Sequence, residues 1–223
     1  MRFNKILFDL DGTLCDTFDD LCASRNAVLE GYGYKPLTRA ENLRDISLVD
    51  TEFMRMGLPE EKRNDREFAA EAIRLFRAHQ DEHFLDNTHP FDGMREAVEE
   101  VIRAGAVTAV LTNKSHDRAC TVVEKFFGGL FDTVRGAVPG TFFKPDPRLT
   151  AEVLLELGLE HGEDLSSVVL VGDSQIDVQT AKNAGIACIA VTWGYRKKEL
   201  LIADGADFTV DTPRELLDIL LKD

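Results

Sequence analysis

Four aspartates stand where short apolar runs end. KILFDL, over residues 5–10, leads into Asp9-Leu10-Asp11-Gly12-Thr13, and VVLVG, over 168–172, leads into Asp173, Ser174 and Asp177. Asp9 and Asp11 are two apart, so an extended chain points them to one face, while a turn at Gly12 redirects the second. Asp173 and Asp177 are four apart and converge if a helix starts near Ser174. Either cluster alone reads equally well as a solvated acidic turn. Two acidic strand ends brought together suit a hard cation such as Mg²⁺, which takes oxygen ligands and keeps water for a substrate phosphate. Thr112 and Asn113 close another apolar run and offer a hydroxyl, an amide and free backbone N–H groups at a helix start. Lys144, in Phe143-Lys144-Pro145-Asp146-Pro147, sits at a proline-fixed loop end where it can meet an anion. Phe142 and Phe143 are expected to anchor that loop in the core.

These residues need strands to carry them. Apolar runs at 5–10, 106–111, 168–172 and 187–192, with a weaker one at 133–138, alternate with helical patterns at 93–104, 116–127, 147–157, 175–184 and 213–221. That alternation predicts an α/β fold: a Rossmann-like, doubly wound parallel sheet with helices on both faces. Ligands of such sheets bind at the carboxyl ends of the strands, where the aspartates fall. Thr212, Pro213 and Glu215 form a capping box with proline at the first helical position. Between 16 and 84 the strand-like runs vanish and helical periodicity appears at 18–30 and 60–83, with a second capping box at Thr38 and Glu41. The expected organisation is an α/β core over 1–15 and 85–223, with a helical cap over 16–84 inserted after the first strand.

Taken together and in order, Asp9-x-Asp11-Gly12-Thr13, Thr112-Asn113, Lys144 and Gly172-Asp173-x-x-x-Asp177 make the chain resemble the haloacid-dehalogenase superfamily of phosphohydrolases. The resemblance spans essentially the whole chain, and the insertion matches the type C1 cap. Thr192-Trp193-Gly194-Tyr195 and Gly205-Ala206-Asp207 resemble the phosphoglycolate phosphatase branch. The resemblance implies Asp9 as nucleophile, ionised at neutral pH from an unperturbed pKa of ~3.9, forming an aspartyl-phosphate. It implies Asp11 as general acid on the leaving oxygen and then as base for water. Mg²⁺ would be held by Asp9, the Asp11 backbone carbonyl and Asp173, with Asp177 binding it directly or behind another ligand. Thr112, the Asn113 backbone and Lys144 would hold the phosphoryl oxygens. The expected substrate is a small phosphorylated metabolite, best 2-phosphoglycolate, over which the cap closes. Its second anionic group wants a positive partner, and Arg25, Arg39, Arg44 and Arg55 of the cap are candidates.

Rival readings keep the same sheet. A sugar-phosphate mutase of the β-phosphoglucomutase type shares Asp16-Thr17, but residues 18–30 lack the histidine that mutases carry in the first cap helix. A phospho-accepting receiver domain also uses aspartate, Mg²⁺, a hydroxyl and a lysine, yet places its acceptor on a middle strand and has no large insertion.

Composition excludes other classes. With 26 basic against 40 acidic residues in 223, the formal charge is −14, and no basic stripe serves nucleic acid. No apolar run approaches the roughly 18 residues that span a bilayer, and the amino terminus does not read as a signal peptide, so a cytoplasmic protein without membrane or nucleic-acid partners is expected. Cys15, Cys22, Cys120 and Cys188 show neither CxxC nor CxxxxxR spacing and read as reduced thiols. His79 and His83 stand four apart with Gln80 following the first, so a solvated helix face is favoured over a zinc site. Asn113-Lys114-Ser115 matches a glycosylation sequon by chance. Trp193 and Tyr195 are read as packing residues.

Overall fold

The computed structural model describes residues 1–159 and 162–222. The chain divides into two units, Met1–Asp16 with Pro90–Asp223, and Thr17–His89. In the first, six strands form a parallel sheet: β1 (Lys5–Phe8), β2 (Val107–Ser115), β3 (Thr133–Ala137), β4 (Val168–Gly172), β5 (Ala187–Val191) and β6 (Phe208–Val210), in the order β3-β2-β1-β4-β5-β6. β1 is central, with Lys5 level with both Val107 and Val168 and Phe8 level with Val110 and Val171.

Buried on both faces, these strands read as continuous apolar runs. Leu7, Ala109, Leu111, Leu170, Cys188 and Ala190 share one core layer with residues of α8 (Pro147–Glu156), α9 (Gln175–Ala184) and α10 (Lys198–Asp204). Ile6, Phe8, Val110, Val169, Val171 and Ile189 alternate to the opposite face and are buried as well. The remaining helices of this unit are α6 (Met94–Arg103), α7 (His116–Phe127) and α11 (Pro213–Leu221), and α6 packs on α11.

The inserted unit holds α1 (Phe18–Gly31), α2 (Arg39–Leu43), α3 (Asp50–Gly57), α4 (Glu60–Arg63) and α5 (Arg66–His83), with α1 and α3 packed on α5. The pattern expected as one helix over 60–83 is two, because Asp65 caps α5 by accepting from the Phe68 N–H. The insertion, drawn from periodicity as 16–84, runs from Thr17 to His89. Residues beyond 84 carry no periodic signal, yet the Asp20 carboxylate accepts from the Asn87 and Thr88 backbone N–H groups and the Thr88 hydroxyl, tying that segment to α1. Among the described residues no helix is long and apolar enough to cross a membrane.

Candidate active site

β1 stops at Phe8 and the chain turns, leaving Asp9 and Asp11 at the carboxyl end of the central strand. The Asp9 N–H still donates to the Val171 carbonyl at 2.9 Å, which holds the residue against β4. Beyond β4, Ser174 caps α9 in a reciprocal box: its hydroxyl accepts from the Asp177 N–H, and Asp177 Oδ2 accepts from the Ser174 N–H at 3.0 Å. The four-residue spacing therefore brings Asp177 back to the strand end. One oxygen each of Asp9, Asp173 and Asp177 lies within 4.8 Å of the others, all three side chains being buried.

The loop around Lys144 delivers the counter-charge. Its ammonium lies 2.9 Å from Asp9 Oδ1 and donates to Asp177 Oδ1 at 2.6 Å. The Asn113 amide fixes this loop from both sides, donating to the Lys144 carbonyl at 3.1 Å and accepting from the Lys144 N–H at 2.8 Å. Asn113 thus places the lysine through its side chain, a role its sequence position did not suggest. Nor does it stand at a helix start: β2 runs on to Ser115, with a register irregularity after Leu111, and α7 begins at His116. Thr112 is buried, and its hydroxyl accepts from the Lys114 N–H. Of the two aromatics before Lys144, Phe142 packs against the core, but Phe143 is 48% exposed, contrary to expectation, because the loop turns it outward.

Three buried carboxylates cluster beside one ammonium that pairs with two of them, and the electrostatics follow. Burial, then the Asp177 charge, pushes Asp9 up to about 7 despite the pull of Lys144. Burial and the charges of Asp177 and Asp9 likewise raise Asp173 well above the usual carboxylate range. Burial alone would lower Lys144, but Asp177 and Asp9 outweigh it and raise it. Asp9 is therefore harder to ionise than the ordinary aspartate expected from sequence, and added positive charge would favour its carboxylate. The donor set is all oxygen, which fits a hard divalent cation. The walls also leave room for the carboxylates: a Cβ on Gly12 would stand 2.4 Å from Asp173 Oδ2, and one on Gly172 would stand 2.3 Å from Asp177 Cγ.

Asp173 is oriented by the segment after β5. The Tyr195 N–H donates to its Oδ2 at 2.8 Å, and the Thr13 hydroxyl approaches its Oδ1 at 3.3 Å. The Trp193 indole N–H donates to the Thr13 carbonyl at 3.0 Å, and the Tyr195 hydroxyl donates to Asp16 at 3.2 Å. Both aromatics, expected only to pack, are half-buried and hydrogen-bond through their polar atoms, which ties the two acidic loops together. Asp11 stands apart from the carboxylate cluster, its Oδ1 taking the Lys114 ammonium at 3.0 Å. Lys114, present in the sequence only as the middle of a sequon, is a second buried lysine at the site. Its two-residue spacing from Thr112 on a buried strand was the available signal.

Among the described residues the histidine pair forms no metal cluster: His79 and His83 stack at 4.4 Å, with His79 against Ser24 and His83 against Asp86. All four cysteines are free. Within the inserted unit, Arg25 is buried against Asp45 and over the Phe53 ring, Arg39 pairs with Asp19, and Arg55 forks onto Glu52.

Residues 6–191 match the haloacid dehalogenase-like hydrolase family. The chain belongs to this family. It is 32% identical to an N-acetylmuramic acid 6-phosphate phosphatase of Pseudomonas aeruginosa, covering 99% of this chain and 96% of that one. It is also 32% identical to a phosphoglycolate phosphatase of Mesorhizobium japonicum, covering 87% and 85% of the two chains. A solved structure from Lactobacillus delbrueckii subsp. bulgaricus, assigned provisionally as a phosphoglycolate phosphatase, superimposes with a TM-score of 0.89 at 27% identity over 100% of both chains. This haloacid dehalogenase-like hydrolase is an enzyme of the phosphatase class, with the parallel α/β fold of that family.

Proposed function

We propose that the chain is a Mg²⁺-dependent phosphatase that hydrolyses a small phosphate monoester, 2-phosphoglycolate first among them, through an aspartyl-phosphate on Asp9. The observation that carries the reading is the Asp9–Lys144–Asp177 arrangement beside Asp173, with Asp11 outside the cluster. A nucleophile, a cation for the phosphoryl oxygens and a separate acid occupy one strand end. Bound among Asp9, Asp173 and Asp177, with the Asp11 carbonyl completing the set, Mg²⁺ would offset the excess carboxylate charge and neutralise the phosphoryl group.

The residues then divide the work. An Asp9 carboxylate oxygen attacks phosphorus, the bond from phosphorus to the ester oxygen breaks, and Asp11 gives that oxygen its proton. Alcohol departs. Asp11, now a carboxylate, takes a proton from water as the water oxygen attacks phosphorus; the phosphorus–Asp9 bond breaks and inorganic phosphate leaves. Lys144, Thr112 and the Asn113 backbone N–H hold the phosphoryl oxygens as charge builds. Asp11→Asn should lose ~10²–10⁴-fold in turnover.

The substrate assignment draws on relatives named as phosphoglycolate phosphatases at about this identity over nearly the whole chain. The N-acetylmuramic acid 6-phosphate phosphatase of Pseudomonas aeruginosa, similar over 99% of this chain, favours a second reading on that sugar phosphate. The mutase alternative loses ground because α1, FDDLCASRNAVLEG, contains no histidine. Phosphate release from 2-phosphoglycolate, N-acetylmuramic acid 6-phosphate and β-glucose 1-phosphate, with Mg²⁺ and with excess chelator, is the test. The expected result is a preference of at least about tenfold in kcat/KM for 2-phosphoglycolate, abolished by chelation. Isomerisation of β-glucose 1-phosphate without phosphate release would overturn the reading in favour of a mutase.

A further inference from the structure

Among the described residues, Lys114 is a buried cation beside Asp11 that the phosphoryl cradle does not use. Its side chain is only 3% exposed, and among the described residues its ammonium meets a single acceptor, Asp11 Oδ1, at 3.0 Å. An ammonium carries three donors and none can accept, so the others point at no protein acceptor. A buried ammonium with donors to spare is costly unless a ligand takes them. Three of the four arginines that the sequence offered as anchors are otherwise engaged: Arg25, Arg39 and Arg55 each pair with a carboxylate of their own unit. Lys144 already meets two acceptors, Asp9 and Asp177.

We infer that Lys114 is a specificity-determining residue that binds a carboxylate on the substrate's leaving group, selecting phosphate monoesters whose carboxylate sits on the carbon bearing the ester oxygen. This rests on the phosphatase reading above, because it takes Asp11 to stand beside the leaving oxygen. In such an ester the ester and carboxylate oxygens are separated by only three bonds, about 3 Å. An ammonium within hydrogen-bond distance of Asp11 is therefore at the right separation for that carboxylate and too near for a charge on the far side of a sugar. The chemistry is charge-assisted pairing at a desolvated site, where it discriminates most strongly. Asp11 itself loses part of its hold on Lys114 as the substrate carboxylate arrives, leaving an oxygen for the ester.

Two esters differing only in this group make the test: 2-phosphoglycolate and ethyl phosphate, in which a methyl replaces the carboxylate. kcat/KM is measured for both with Mg²⁺, using the full chain, Lys114→Met and Lys114→Arg. The unaltered enzyme should prefer 2-phosphoglycolate by about 10–100-fold, the range of one charge-assisted hydrogen bond. Lys114→Met should collapse that ratio to within a few-fold of unity, mainly through KM, and Lys114→Arg should restore part of it. If both substrates fall by the same factor in Lys114→Met, the lysine merely steadies Asp11 and the inference is wrong. It is equally wrong if the unaltered enzyme shows no preference, a result that needs no variant to fold. No hydrolysis of any ester by the unaltered chain removes the phosphatase reading, and this inference with it.

Discussion

Asp9 is pulled two ways. Its neighbour Lys144 favours the carboxylate, but burial and Asp177 prevail and raise it from 3.8 to about 7. An acid raised on folding contributes its full stability below the unfolded value, loses it as pH climbs through the interval, and stays weakened above about 7. The loss is on the order of a few kcal/mol. Asp9→Asn removes this buried charge and leaves Asp177 to pair with Lys144. In metal-free buffer at pH 8 the variant should melt above the unaltered chain, with the gain shrinking toward pH 4, while releasing no phosphate. A lower melting temperature at pH 8 would contradict the charge argument. Protons and Mg²⁺ compete for the same oxygens, so Mg²⁺ should raise the melting temperature more at pH 8 than at pH 5. Equal shifts at the two pH values would place the cation elsewhere.

Elements carry these residues with little slack. Gly194 lies where a Cβ would stand 2.3 Å from Asp173 Cβ and 2.4 Å from the Gly12 carbonyl oxygen. Gly194→Ala must push Asp173 off the cluster or open the loop after β1, and should lose on the order of 2 kcal/mol in chemical denaturation together with most activity. Wild-type stability in that variant would mean that the two loops are not locked together. Strands such as VVLVG and the capping box at Thr38 were legible because burial and capping leave marks on neighbouring residues; at Thr212 the hydroxyl caps α11 as expected, but Glu215 reaches back to the Asp211 N–H instead of closing the box. The extent of α2, and α3, α10 and β6 altogether, were not legible: they are short, with too few turns or residues to show a period. Asp9, Asp173 and Asp177 meet in space because β1 and β4 pair side by side, an adjacency that the alternation of strands and helices left open. The clamp from Asn113 to Lys144 and the pairing of Lys114 with Asp11 join positions 31 and 103 residues apart, and no local pattern encodes such partnerships.

At the scale of the whole molecule, a chain of net charge −14 buries three carboxylates around one lysine at the centre of its sheet. That concentration of like charge is unfavourable for stability and makes sense as a site for a divalent cation and a phosphoryl group. The most direct test of the central claim is chemical trapping of the enzyme during turnover of 2-phosphoglycolate with Mg²⁺. Acid quench and borohydride reduction convert an aspartyl-phosphate to homoserine, which peptide mass spectrometry locates. The account predicts homoserine at position 9, formed only with substrate and absent from Asp9→Asn. Continued phosphate release with residue 9 unmodified, or with the reduced residue elsewhere, would contradict it.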